Sequence, residues 1–189
     1  MKKFKRIIAM GCAAIMSVSA INMAALAKDN SKVGTKVEIA TVTYSPKLGD
    51  TITYVDENGV EKEAVITEIK EPKPVETMFE PCWYSGWFNG VEIPKNTSGN
   101  EGIQIGGTYF ATNADTYACF RTRNWCAYLN ALNYSLIDTN NNTAQWNTVR
   151  TPGTYMMEVP TIGHRYIYKF SGESSTNKTL TCDLCLESD

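Results

Sequence analysis

The chain has 189 residues, with 18 basic and 20 acidic side chains and a formal charge of −2. That length fits one domain, or one domain with a small companion. Beyond the first six residues Lys and Arg are not clustered, which argues against a nucleic-acid partner or an anionic membrane surface. Hydrophobic residues make up 43% and aromatic residues 11% of the chain, enough to bury a core without a structural metal or other cofactor.

The first segment carries Lys2, Lys3, Lys5 and Arg6, then an apolar stretch from Ile7 to Ile21, then Ala25-Leu26-Ala27. A basic region, a hydrophobic segment and a small-x-small site in that order predict a helical signal peptide over residues 1–27 and bacterial-type export. Gly11, Cys12, Ser17 and Ser19 interrupt the stretch and Asn22 ends it. It falls short of the ~20 apolar residues of a stable membrane span. The expectation is a secreted, extracellular protein with no stable membrane span after cleavage; retention at the cell surface stays open. Cleavage removes four basic residues and no acidic one, which leaves 14 basic against 20 acidic residues and a formal charge of −6.

Residues 28–35 are polar and predict a mobile mature N-terminus. Residues 36–70 are rich in Val, Ile and Thr and read as a small β-hairpin segment of three strands. Ile52 and Tyr54 share one face, and Val65, Thr67 and Ile69 share another. Between them Asp56-Glu57-Asn58-Gly59, flanked by Val55 and Val60, is a hairpin turn signal. Residues 71–76 contain Pro72 and Pro74 and predict a stiff connector between structural units, or an ordinary loop within one.

Residues 77–189 read as an all-β domain, an antiparallel β-sandwich or jelly-roll. Strand-like runs recur about every ten residues, at 107–112, 117–123, 154–159, 164–170 and 179–186. In the fourth run His164, Tyr166, Tyr168 and Phe170 fall on one face, with Arg165 and Lys169 on the other. Residues 127–137 carry both helical and strand spacing, and the strand is favoured.

Five cysteines follow the signal: Cys82, Cys119, Cys126, Cys182 and Cys185. They are disulfide candidates in an exported chain, and an odd number leaves at least one unpaired within it. Cys182 and Cys185 form a C-x-x-C, but strand alternation turns them to opposite faces, which disfavours a shared zinc ion. His164 is the only histidine, and no serine-hydrolase or zinc-hydrolase motif accompanies it. A glycan hydrolase would need two carboxylates about 5–10 Å apart, and no pair stands out by spacing. Asp138, Asn140 and Asn142 alternate as in some calcium loops, without the turn glycine or closing glutamate of an EF-hand. Asx-rich turns have the same composition.

The most suggestive feature is Trp83-Tyr84-Ser85-Gly86-Trp87-Phe88-Asn89-Gly90, read as an aromatic loop. Exposed flat rings stack on sugar faces while neighbouring amides bond hydroxyls. Trp83, Tyr84, Trp87 and Asn89, with Trp125 and Trp146, are therefore the candidate binding residues. The competing reading, in which Trp83 and Trp87 fill the core, carries at least equal weight, because Trp and Tyr are largely buried on average. The leading expectation is a secreted, non-enzymatic binding module for carbohydrate or a cell-envelope polymer. The alternatives are a secreted protein-interaction or structural protein of effector or toxin type, and a glycan hydrolase.

Overall fold

The computed structural model describes residues 43–72, 83–99, 101–110 and 117–188. All of them belong to the unit Ile39–Asp189. The signal segment 1–27, the mature N-terminus 28–35, most of the connector 71–76 and Cys82 lie outside the described residues.

Among those residues there are strands and no helix. The first hairpin is β1 (Thr51–Val55) and β2 (Glu61–Lys70), paired antiparallel with Ile52 opposite Ala64 and Tyr54 opposite Lys62. Its turn forms as its residues dictate. Asp56 Oδ1 accepts from the amides of Asn58 and Val60, Gly59 takes φ 76°, and Lys62 closes on Asp56 at 2.8 Å. Two strands, not three, occupy the described part of 36–69.

The remaining strands are β3 (Trp83–Ile93), β4 (Ile103–Phe110), β5 (Tyr117–Arg123), β6 (Ala131–Asp138), β7 (Thr143–Val149), β8 (Gly153–Glu158), β9 (Arg165–Glu173) and β10 (Leu180–Ser188). They form two sheets. One has six strands in the order β1-β2-β7-β6-β9-β4, the other four in the order β3-β10-β5-β8. The ambiguous stretch 127–137 resolves into a turn and β6.

Two expectations need correction. Pairing is not antiparallel throughout: β2 runs parallel to β7, with Val65 opposite Thr143 and Lys70 opposite Asn147. The hairpin has no short connection to β7, so nothing in the chain forces an antiparallel return. The aromatic segment 83–90 is not a loop but the body of β3. Its glycines do not end the strand; Gly86 at φ 79° and Gly90 at φ 62° sit where the register against β10 slips. A glycine in the left-handed region is what lets a strand bulge and continue.

The main core lies between the two sheets. β6 contributes Leu132, Tyr134 and Leu136, β9 contributes Tyr166, Tyr168 and Phe170, β5 contributes Phe120, and β10 contributes Leu180, Cys182, Leu184 and Leu186. Phe120 is the hub, with ring centroids 4.4 Å from Tyr134 and 5.4 Å from both Tyr155 and Phe170. Such aromatic pairs are worth ~0.5–1.5 kcal/mol each beyond their buried area. Gly172 allows the far end of β9 to approach β10. A Cβ there would stand 2.7 Å from Leu180 Cδ1 and 2.9 Å from Leu129 Cδ1.

A second core fills the opposite face of the six-stranded sheet: Ile52, Tyr54, Ala64, Ile66, Ile137, Ala144, Trp146 and Ile167. The sheet curls around it until its first and last strands meet. Gln104 on β4 places its amide against the open edge of β1, donating from Nε2 to Val55 O at 2.9 Å and accepting from Val55 N at 2.6 Å. Lys169 Nζ donates to Thr53 O beside it at 2.5 Å. Side chains thus complete a seam that no strand closes.

Replacing Gln104 with Ala is expected to lower stability by about 1 kcal/mol, since water reaches the freed Val55 groups. Amide exchange at Val55 should speed up while that at Ile137 stays slow. Unchanged protection of Val55 would show that Gln104 does not hold the seam.

Candidate binding face

β3 and β8 are the edges of the four-stranded sheet, and its outer face is built by alternation. On β10 the positions Leu180, Cys182, Leu184 and Leu186 enter the core, so Thr181, Asp183, Cys185 and Glu187 face out. On β5 Ala118 and Phe120 point in, so Cys119, Arg121 and Arg123 face out. Trp87 lies opposite Cys185 and Tyr84 opposite Glu187, which puts both rings on this outer face. Trp83 lies opposite Ser188, on the other side of the strand. The bulge at Gly86 brings Tyr84 and Trp87, three residues apart, to one side, which simple alternation would not do.

The outer face carries an ordered polar network. Asp183 is 6% exposed, and its carboxylate is fully used. Oδ1 accepts from Gly90 N at 2.8 Å, and Oδ2 accepts from Asn124 Nδ2 at 2.7 Å and from Arg123 Nε at 3.2 Å. The Gly90 amide, then Asn124, then Arg123 hold this carboxyl below the usual range. Asn124 reaches it because its backbone turns left-handed at φ 51°, directly after β5 ends. Glu187, 1% exposed, pairs with Arg121 Nε at 2.9 Å. The Arg123 guanidinium lies over the Trp87 ring, 3.8 Å from its centroid, a cation–π contact of about 0.5–2 kcal/mol.

The sequence candidates separate accordingly. Tyr84 is 53% exposed and Trp83 41% exposed, while Trp87 is half-buried beneath Arg123. Asn89 is exposed on β3. Trp125 is half-buried against the main core and donates from Nε1 to Thr122 Oγ1 at 2.6 Å. Trp146 leaves the binding set: it is buried in the second core, where no surface ligand reaches it. The sequence reading does not single out Arg121, Arg123, Asn124 or Asp183, which the fold brings beside Trp87. The signal was there in Cys119-Phe120-Arg121-Thr122-Arg123, where alternation puts two arginines on one side of a strand.

The Asx turn does not present a cation site. Asp138 is buried, and its carboxylate accepts from Asn140 N, Asn141 N, Asn141 Nδ2 and His164 Nδ1. Asn140 Oδ1 accepts from Arg165 N, and Asn142 Oδ1 accepts from the Tyr54 hydroxyl. These oxygens tie the turn to β9 and β1, which explains the composition without a metal. Among the described residues no three His, Cys, Asp or Glu side chains gather as a ligand set. Asp183 and Glu187 do not make a hydrolytic pair either. Four residues apart on one strand, they stand about 13 Å from each other, beyond the ~5–10 Å of glycosidase acids.

No disulfide joins any two of the described cysteines, Cys119, Cys126, Cys182 and Cys185, so the disulfide expectation is not met among them. Alternation separates their surroundings. Cys182 lies in the core and Cys185 beneath the outer network, and burial pushes each thiol up to about 11. Cys126 differs. Its partial burial raises the thiol, but amides of Thr181, Tyr128 and Leu129 outweigh this and lower it below the ordinary value; Thr181 N is 3.3 Å from Sγ.

Comparison of the chain with family models, with curated proteins and with solved structures finds no match. A brief maleimide pulse on the native protein is expected to label Cys126 well before Cys182 or Cys185, because thiolate fraction and access both favour it. Peptide mass mapping reads the order. Equal labelling would mean that the amides do not activate Cys126.

Proposed function

We propose that this chain is a secreted, non-enzymatic binding module of β-sandwich type, whose ligand is carbohydrate or a cell-envelope polymer. The signal pattern of residues 1–27 supports export. The observation that carries the reading is that Tyr84 and Trp87 of β3 stand outside both cores, whereas Phe88 beside them packs against the main one. Phe120, Tyr134, Tyr155, Tyr166, Tyr168, Phe170 and Trp146 supply the aromatic packing inside. Tyr84 and Trp87 lie instead on the outer face of a sheet, beside polar groups fixed in place by Asp183 and Glu187.

A rigid sheet bearing flat rings and oriented donors suits a sugar chain. Apolar ring faces stack on pyranose faces, and preset hydrogen-bond partners lose little freedom on binding. The ion pairs of Asp183 and Glu187 argue for a positioning role for these acids rather than proton transfer. A sandwich reading of the two facing sheets fits the same picture, with the ligand on a sheet face.

Co-sedimentation with insoluble peptidoglycan and plant polysaccharides tests the proposal. Depletion of the protein, reversed by free oligosaccharide, is expected. Tyr84→Ala should weaken it by about tenfold, the scale of ~1.4 kcal/mol for one stacked ring, and Trp87→Ala should weaken it as well by removing the support under Arg123. Tyr84→Ala should shift the denaturation midpoint little, because the ring is exposed. A folded sample that no polysaccharide depletes would end the glycan reading.

A further inference from the structure

We infer that the outer face of the four-stranded sheet selects an acidic glycan, one whose sugar rings carry carboxylates, through Arg121 and Arg123. This rests on the glycan-binding reading above and specifies its ligand. The two arginines are alternate residues of β5 and point to the same side, about 7 Å apart along the strand. Each is tethered from below through Nε: Arg121 to Glu187 and Arg123 to Asp183. Among the described residues, the Nη groups of both make no other hydrogen bond.

The anchoring matters chemically. A guanidinium offers two edges. Here the Nε side faces a buried carboxylate, and the terminal Nη pair is left toward solvent, where the Arg123 side chain is 49% exposed and that of Arg121 28%. Two parallel N–H groups match the two oxygens of a carboxylate. With Nε bonded to Asp183 and the guanidinium 3.8 Å from the Trp87 ring centroid, Arg123 is held in place before a ligand arrives. Tyr84, exposed alongside, provides the surface for a sugar ring, while Trp87 braces Arg123 from beneath.

A neutral glucan would use the Tyr84 ring and leave the forks hydrated. A flexible phosphate polymer would use the charges and leave that ring idle. A chain of uronic acids uses both. The protein's overall charge is negative, so a polyanion is held by these forks and not by a general positive field.

Affinity electrophoresis of the full chain through gels containing polygalacturonate, neutral galactan or polyphosphate tests the inference. Polygalacturonate is expected to retard the protein at least tenfold more strongly than galactan or polyphosphate, with retardation falling as salt rises. Arg123→Gln and Arg121→Gln should each cost about tenfold on polygalacturonate and leave galactan mobility unchanged. Arg123→Lys, which keeps charge but loses the fork, should not restore binding. If Arg123→Gln destabilises the fold by leaving Asp183 unpaired, the double variant Arg123→Gln/Asp183→Asn removes both charges and carries the same expectation. Equal retardation by galactan and polygalacturonate would overturn the acidic-glycan inference and leave the binding module standing. Equal retardation by polyphosphate would overturn the carboxylate preference. No retardation by either glycan would overturn this inference, and the proposed function falls with it only if peptidoglycan and the other polysaccharides also fail to deplete the protein.

Discussion

β6 and β9 are buried on both faces, and the rest of the architecture follows from that constraint. One side of the pair presents Leu132, Tyr134, Leu136, Tyr166, Tyr168 and Phe170; the other presents Ile137 and Ile167. A sheet with two apolar faces needs two covers. The four-stranded sheet supplies one. The other comes from the sheet itself, which curls so that the β1–β2 hairpin closes over its own far face. Lys169 is the telling residue. It sits on the covered side, is 8% exposed, and spans the seam to Thr53.

The curl also explains why polar side chains do backbone work at the edges. An open strand edge is a row of unpaired donors and acceptors. Gln104 answers it with an amide that mimics a neighbouring peptide group. The Asx turn does the same at the end of β6, where Asp138, Asn140 and Asn142 bond across to β9 and β1. In both places the amide-rich composition serves the closure of the fold.

β6 and β9 are covered on both sides, and the outer face of the other sheet carries the network of charged groups. Acidic residues there are buried and point at arginines, and one arginine lies on a tryptophan. Burying a charge is costly unless it is paired and hydrogen-bonded. Asp183 meets that requirement with three donors, and the result is a stiff set of groups aimed outward. The same alternation places Cys185 under this network and Cys182 in the core, which is why two cysteines three residues apart have different environments.

Much of the strand pattern was legible in the sequence. Alternation along β9 and β10 assigned their faces, the Val55–Val60 turn marked the first hairpin, and the bounds of β5 matched the run of apolar and polar residues. Local chemistry decides these features, because side-chain alternation and turn geometry depend on a few adjacent residues. What the sequence left open was settled by contacts between distant segments. The parallel pairing of β2 with β7, the burial of Trp146 and the continuation of β3 through two glycines all depend on partners far away in the chain. Tryptophans at positions 83, 87, 125 and 146 look alike as letters. Only the curl of one sheet and the bulge of another strand decide which is core and which lies at the surface.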